Sequence, residues 1–245
     1  MSVLAGSARA DEGSPLPDTG IGIAVRDHTT GRVWSDNAQF RNRQASVFKV
    51  LASMTTFVAA RDAGRAVNDG EKELMEAALE YSDNEATDAL WAGFGRGPFF
   101  DDAMRRLGLP GIRRAPGFAW GRVTATCPDL LQALSVLEKG RSGVLAPSEG
   151  AWIRDRMNES TVIWGVGAPG RDANRRIEVK NGWSTFDDTE DRWVLNSLGT
   201  VTETLPGGRR ARYSMSLQSF GFQSVEEGSA VLDQIGLMVH QALTC

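Results

Sequence analysis

Histidine and cysteine are nearly missing from this chain: His28, His240, Cys127 and Cys245 are the only ones in 245 residues, and they lie far apart. That spacing argues against a zinc centre, and no metal or cofactor is expected. Cys127 and Cys245 could pair; spacing alone leaves this open, and two unmatched thiols are the expectation. No apolar run approaches the length needed to span a membrane. The net charge is −4 with arginines scattered along the chain, so there is no basic stripe and nucleic acid is not an expected partner. Lysine is scarce as well. Only Lys49, Lys72, Lys139 and Lys180 appear among 27 basic residues. Each invites the question why arginine would not serve, because lysine can lose its proton near neutral pH and arginine cannot.

What is present supports a real core: 41% hydrophobic residues and seven tryptophans, in a length suited to one large domain or two intimately packed lobes. Residues 1–20 are rich in small residues and carry no period, which reads as a flexible N-terminal segment. Within it Ala8-Arg9-Ala10 looks like the end of a secretory signal whose apolar core is missing, or simply an ordinary flexible start.

From Ile21 the pattern becomes regular. Residues 21–37 read as two short strands around Thr29-Thr30-Gly31, a hairpin. The run from Gln44 to Ala60 is largely apolar, with Lys49 its only charged side chain, and stops at Arg61-Asp62-Ala63-Gly64. It predicts a helix buried on most sides. A polar turn near Asn68-Asp69-Gly70 precedes a helix ending at Tyr81-Ser82, and one helical pattern continues to Pro110. Residues 111–126 show no period and read as a loop. Helices are expected over 128–140, opened by Pro128 and stopped by Gly140, and over 148–160. Beyond 177 the period is that of strands: IEVKNGWS, RWVLNSLGTVTE and RRARYSMSLQSFGF, the last two joined at Pro206-Gly207-Gly208. An amphipathic helix over 225–243 closes the chain. The expected class is α/β (α+β): an antiparallel sheet built from both termini with flanking helices, plus an inserted all-helical lobe. The sheet lobe covers about 21–45 and 165–245, and the helical lobe about 46–164.

Lys49 carries the strongest chemical signal. A lysine inside a buried helix must be neutralised, paired or used. Ser46 precedes it by three residues, close to one helical turn, so the two side chains can face one point. A hydroxyl beside a lysine whose pKa is depressed by burial is a nucleophile with its own base. Two further motifs follow in order: Ser82-Asp83-Asn84 at a helix junction, and Lys180-Asn181-Gly182 on the first late strand. Each is weak alone, since the first is usually a cap or turn and the second a tight turn. Lys72 and Lys139 sit in polar helical stretches and read as solvated surface. The stretch from Phe186 to Asp191 lacks the glycine and ligand spacing of a calcium loop and reads as a solvated hairpin turn.

The ordered set Ser46-x-x-Lys49, Ser82-Asp83-Asn84 and Lys180-Asn181-Gly182 resembles the penicillin-recognising serine hydrolases, most closely the class A β-lactamases. The likeness covers residues 21–245, with hairpin, nucleophile helix, helical lobe, three strands and final helix in the family's order. It implies that Ser46 is the acylated nucleophile and Lys49 its base or proton shuttle. Ser82 would relay a proton to the leaving nitrogen, and Lys180 would lend positive charge to Ser82 and to a substrate carboxylate. Asn84, Asn181, Gly182 and Trp183 would contact substrate, with the backbone N–H groups of Ser46 and Trp183 as the oxyanion hole.

The chain departs from that family in three respects. The loop that supplies the family's deacylating glutamate corresponds here to residues 113–128, which hold no acidic residue; Glu149 and Glu159 lie later and read as surface. The segment between Ser46 and Ser82 is short. Asn181 stands where threonine or serine is usual, and Trp183 beside it could narrow the cleft, stack on a ring or simply pack. The resemblance therefore implies a serine hydrolase that forms a Ser46 acyl-enzyme with a β-lactam or a peptide-like amide or ester and releases it slowly. The alternatives are an efficient β-lactamase with another base, a D,D-peptidase, or a ligand-binding pseudoenzyme. A small-molecule substrate and a monomer are expected, secreted or in the cell envelope, with the cytoplasm as the alternative.

Overall fold

A computed structural model describes residues 20–114 and 119–245; the flexible segment expected over 1–20 lies, apart from Gly20, outside them. The N-terminal hairpin forms as β1 (Gly20–Asp27) and β2 (Val33–Asp36). Its turn is stitched by Asp27, whose carboxylate accepts from Thr29 N and Thr30 Oγ1. A short strand β3 (Arg41–Arg43) leads into a single 3-10 turn and then into α1 (Phe48–Asp62). Five helices follow: α2 (Asp69–Glu80), α3 (Asn84–Gly93), α4 (Arg96–Leu107), α5 (Cys127–Lys139) and α6 (Pro147–Asn158). Strand β4 (Thr124–Thr126) precedes α5. The chain returns to the sheet with β5 (Arg175–Ser184), β6 (Trp193–Thr204) and β7 (Arg210–Phe222), and ends in α7 (Val225–Thr244).

The sheet runs β2-β1-β7-β6-β5, antiparallel throughout. Its two termini-derived parts meet at the β1–β7 pair, the class of fold expected from the strand and helix periods. One apolar cluster fills the helical part around Phe48, Leu51, Met54, Met75, Leu79, Phe100, Met104 and Leu130. A second lies between the sheet and α7, built on Ile177, Val179, Leu195, Val201, Met215, Leu217 and Leu232.

Three local expectations change. The pattern read as one helix up to Pro110 is two helices, α3 and α4, because Gly95 and Arg96 take positive φ (89° and 61°) and break the backbone. The aperiodic stretch 111–126 contains β4, which pairs with β3 in a second, two-stranded sheet. Strands of three residues are too short to show alternation. The polar turn at Asn68 is a capping box: Asn68 accepts from Glu71 N, and Glu71 accepts from Asn68 N. Cys127 is buried and Cys245 exposed, both as free thiols.

Candidate active site

Ser46 sits in the 3-10 turn Ala45–Val47 that opens into α1. The turn is set up by Ala45, whose φ is +45°, and anchored by buried amides the sequence motifs did not reveal. Asn42 donates to Asn196 Oδ1 (3.1 Å) and Ser219 O (2.8 Å), and Asn196 donates to Arg43 O (2.8 Å). Gln44 donates to Asn42 O at 2.7 Å, and its backbone N–H reaches Val123 O at 2.8 Å. Buried amides in strand interiors need partners, and these tie the segment before Ser46 to the sheet on one side and to β4 on the other. Asn196 in the otherwise apolar run Val194-Leu195-Asn196 was the available signal.

Strand β5 passes directly behind the turn. A Cβ on Gly182 would lie 2.6 Å from Val47 N, 2.7 Å from Gln44 O and 2.7 Å from Ser46 N. Only glycine permits that approach, which explains the third residue of the Lys180-Asn181-Gly182 motif.

The two lysines of interest converge on one hydroxyl. Lys49 Nζ donates to Ser82 O, to Ser82 Oγ at 3.2 Å and to Asn84 Oδ1 at 2.8 Å. Lys180 Nζ donates to the same Ser82 Oγ at 2.9 Å and to Asn181 O at 3.2 Å. Among the described residues, the hydrogen bonds of Lys49 Nζ go to Ser82 and Asn84 and not to Ser46. Both lysines are 0% exposed. Neither has a carboxylate partner within salt-bridge distance among the described residues. Burial pulls the Lys49 ammonium down to about 8, opposed by the Asp83 and Asp88 carboxylates. Burial, reinforced by the Lys49 charge, pulls Lys180 down to about 7.

Ser82 is held for this role by strain. Its φ is +60°, in the left-handed region that a serine seldom takes. Asp83 caps α3 by accepting from Ala86 N (2.8 Å), which locks the junction between α2 and α3. A hydroxyl has one hydrogen and two lone pairs. With both lone pairs of Ser82 Oγ accepting from lysines, its own hydrogen is free to be donated elsewhere.

Ser46, Lys49, Ser82, Asn84, Lys180 and Gly182 therefore occupy one locality. Asn181 does not, which corrects its expected contact with substrate. Successive strand residues face opposite ways, and with Lys180 towards Ser82 the Asn181 amide turns to the α7 side. There it donates to Val162 O (3.3 Å) and Trp164 O (3.1 Å). The Trp183 side chain follows it, packing edge-on against Trp164 at 6.4 Å, so packing is its observed role. The 186–191 turn is likewise more than a solvated loop. Asp188 pairs with Arg43 and Arg122, and the Phe186 ring lies 4.8 Å and 5.1 Å from those two guanidinium groups.

The loop before α5 brings no carboxylate to the lysines among its described residues. Asp129 is spent on the α5 capping box with Thr126 and on Arg41. Glu149 caps α6 and pairs with Arg61 (2.8 Å). Trp120 instead reaches Lys49, with its ring centroid 5.5 Å from Nζ.

The fold is that of the class A β-lactamases. The chain superposes on an extended-spectrum β-lactamase, TLA-1, with a TM-score of 0.76 at 15% identity, covering 93% of this chain and 94% of that one. A class A β-lactamase from Bacteroides cellulosilyticus gives 0.74 at 17% identity, covering 92% of each chain. The chromosome-encoded β-lactamase of Vibrio parahaemolyticus gives 0.73 at 16%, covering 92% and 94%. In sequence the chain is similar to proteins of Mycobacterium tuberculosis and Mycobacterium bovis named "Putative lipoprotein LppW", 23% identical over 215 residues. That match takes in 85% of this chain and spans 65% of the length of those relatives. No family model matches the chain.

Proposed function

We propose that the protein is a β-lactamase-like serine hydrolase in which Ser46 attacks the carbonyl of a β-lactam or a peptide-like amide or ester. The observation that carries this reading is the meeting of Lys49 and Lys180 on Ser82 Oγ, beside the turn that holds Ser46.

The chemistry follows from the protonation states. Near neutral pH a lysine with a pKa of about 8 is neutral in a useful fraction of molecules. Lys49 Nζ gives its hydrogen bonds to Ser82 and Asn84, so the neutral amine must first turn its lone pair from those oxygens towards Ser46. It then takes the Ser46 proton as Oγ bonds to the carbonyl carbon. The developing oxyanion is met by the backbone N–H groups of Ser46 and Trp183, and the N-terminal end of α1 favours negative charge there. Ser82 donates its free hydrogen to the leaving nitrogen and is reprotonated from Lys49, with Lys180 holding the hydroxyl in place. The exposed Asn84 uses its amide N–H on the substrate carbonyl while its oxygen holds Lys49. The positive charge of Lys180 suits a substrate carboxylate.

Release of the acyl group is slow in this reading, because among the described residues no carboxylate lies within ion-pair distance of Lys49 to activate water. The chain acts in the cell envelope or outside the cell, a placement supported by the lipoprotein relatives. No helix among the described residues is long and apolar enough to cross a membrane.

Intact-mass measurement after incubation with a penicillin or an activated ester tests the reading. The expected result is a lasting adduct on Ser46, absent in Ser46→Ala, whose acylation falls by roughly 10³-fold or more. Steady turnover of a chromogenic cephalosporin without an adduct would instead make it an efficient β-lactamase with another base. Release of D-alanine from a model peptide would make it a D,D-peptidase. Equal ligand binding by Ser46→Ala, with no adduct on either protein, would leave only a binding module.

A further inference from the structure

Lys49 lies under an indole. The Trp120 ring that stands 5.5 Å from Lys49 Nζ also stacks on Phe48, the residue before Lys49, at 5.5 Å and 23°. Its Nε1–H donates to Asp88 Oδ1 over 2.6 Å, so α3 holds the ring in place. An ammonium has three N–H bonds, and those of Lys49 already have three partners in Ser82 O, Ser82 Oγ and Asn84 Oδ1. The indole lies beside the amine as a further, apolar neighbour. Of the two carboxylates nearest in charge to Lys49, Asp83 is occupied by Ala86 N–H and Asp88 by the indole N–H.

Hydrolysis of a Ser46 ester places the oxygen of water on the acyl carbon, breaks the bond to Ser46 Oγ and returns one proton to that oxygen, releasing a carboxylic acid. It needs a water with a base beside it. Resting on the acyl-enzyme reading above, the geometry points to Trp120 as the residue that holds water off the acylated site, with Asp88 positioning its ring. The slow release is then built in by an aromatic cover as well as by a missing base.

The test follows the mass of penicillin-treated protein over time in the wild type and in Trp120→Ala, Trp120→Phe and Asp88→Ala. Trp152→Phe serves as a distant control, since Trp152 packs on Phe57 at 5.9 Å in the helical core. In Trp120→Ala the adduct is expected to decay at least about tenfold faster, with the free acid appearing in step. Trp120→Phe keeps an aromatic cover over Phe48 and the amine but loses the bond to Asp88, and its adduct decays at a rate between wild type and Trp120→Ala. Asp88→Ala frees the indole without removing it and falls in the same range; it carries the same test should Trp120→Ala fail to fold. An adduct in the wild type whose decay is unchanged in both Trp120→Ala and Asp88→Ala overturns the role of Trp120 alone. Equal acceleration in Trp152→Phe does the same, by assigning the effect to general loosening. A wild-type protein that never gains an adduct sinks the acyl-enzyme reading and this inference with it.

Discussion

Two regions of the molecule treat buried charge in opposite ways. At the far end of β5 and β6, Arg175 and Glu203 pair at 2.7 Å, and His240 stands 3.4 Å from the same carboxylate. Glu178, 5% exposed, is matched by Arg176 at 3.0 Å and Arg154 at 3.5 Å. Charge there is cancelled by charge, an arrangement that serves the fold and leaves nothing reactive. At the other end of β5, Lys49 and Lys180 are buried with neutral oxygens as hydrogen-bond partners, close enough for the Lys49 charge to depress Lys180. Burying two ammonium groups with no carboxylate in direct contact among the described residues is costly for a folded chain. The same arrangement lowers their pKa values into the range where they exchange protons near neutral pH.

The sharpest way to break the comparison is Lys180→Met. Acylation is expected to fall ~10²–10⁴-fold, whereas stability should rise. The folded pKa of Lys180 is about 7, against an ordinary 10.5. The unfolded chain therefore binds more protons between those values, and wild-type stability climbs with pH across that window. The penalty is full below about pH 7 and gone near pH 10.5. The variant should unfold at a higher temperature at the acid end of the window, by roughly 2–4 °C for each kcal/mol of penalty removed, and lose that advantage at the alkaline end. A variant no more stable than wild type below pH 7 would mean that Lys180 is not held under strain.

Glu203→Gln should do the reverse, because it removes the nearer of the two carboxylates on Arg175 and leaves Asp172 at 3.2 Å. A loss of about 1–2 kcal/mol in denaturant unfolding is expected, with acylation of Ser46 unchanged. A large effect on acylation would erase the distinction between the two ends of the strand.

Gly182→Ala sharpens the contrast from the backbone side. Its methyl would press on Val47 N, Gln44 O and Ser46 N, none of them the free end of a side chain. A cost of roughly 1–3 kcal/mol is expected, accompanied by loss of the adduct, since the turn holding Ser46 must move. Retention of full acylation would show that β5 does not set the position of the nucleophile.

Much of this molecule is legible in the amino-acid order because its elements are long and periodic. The strands β5, β6 and β7 run 10, 12 and 13 residues, long enough for their strand-like composition to stand out. Helix α1 announces itself as an apolar run broken by one lysine, and the three short motifs stand in an order that chance seldom produces. The illegible parts are short or depend on facing. Strands β3 and β4 have three residues each. The break at Gly95 and Arg96 is a backbone conformation inside a good helical pattern. Asn181 and Trp183 look like site residues until the alternation of β5 turns both side chains away from Ser82. Trp120 and Asp88, and the amides of Asn42 and Asn196, carry no motif at all.

The order of amino acids by itself decided where the long helices and strands form and which few side chains bear chemistry, because period and composition act over a few neighbouring residues. Tertiary structure alone decided that Lys49 and Lys180, 33 and 98 positions from Ser82, share its hydroxyl, and that an indole rather than a carboxylate covers the first of them. Contacts across such separations come from how the sheet and helices pack, and no local pattern encodes which face of a strand or loop will meet them.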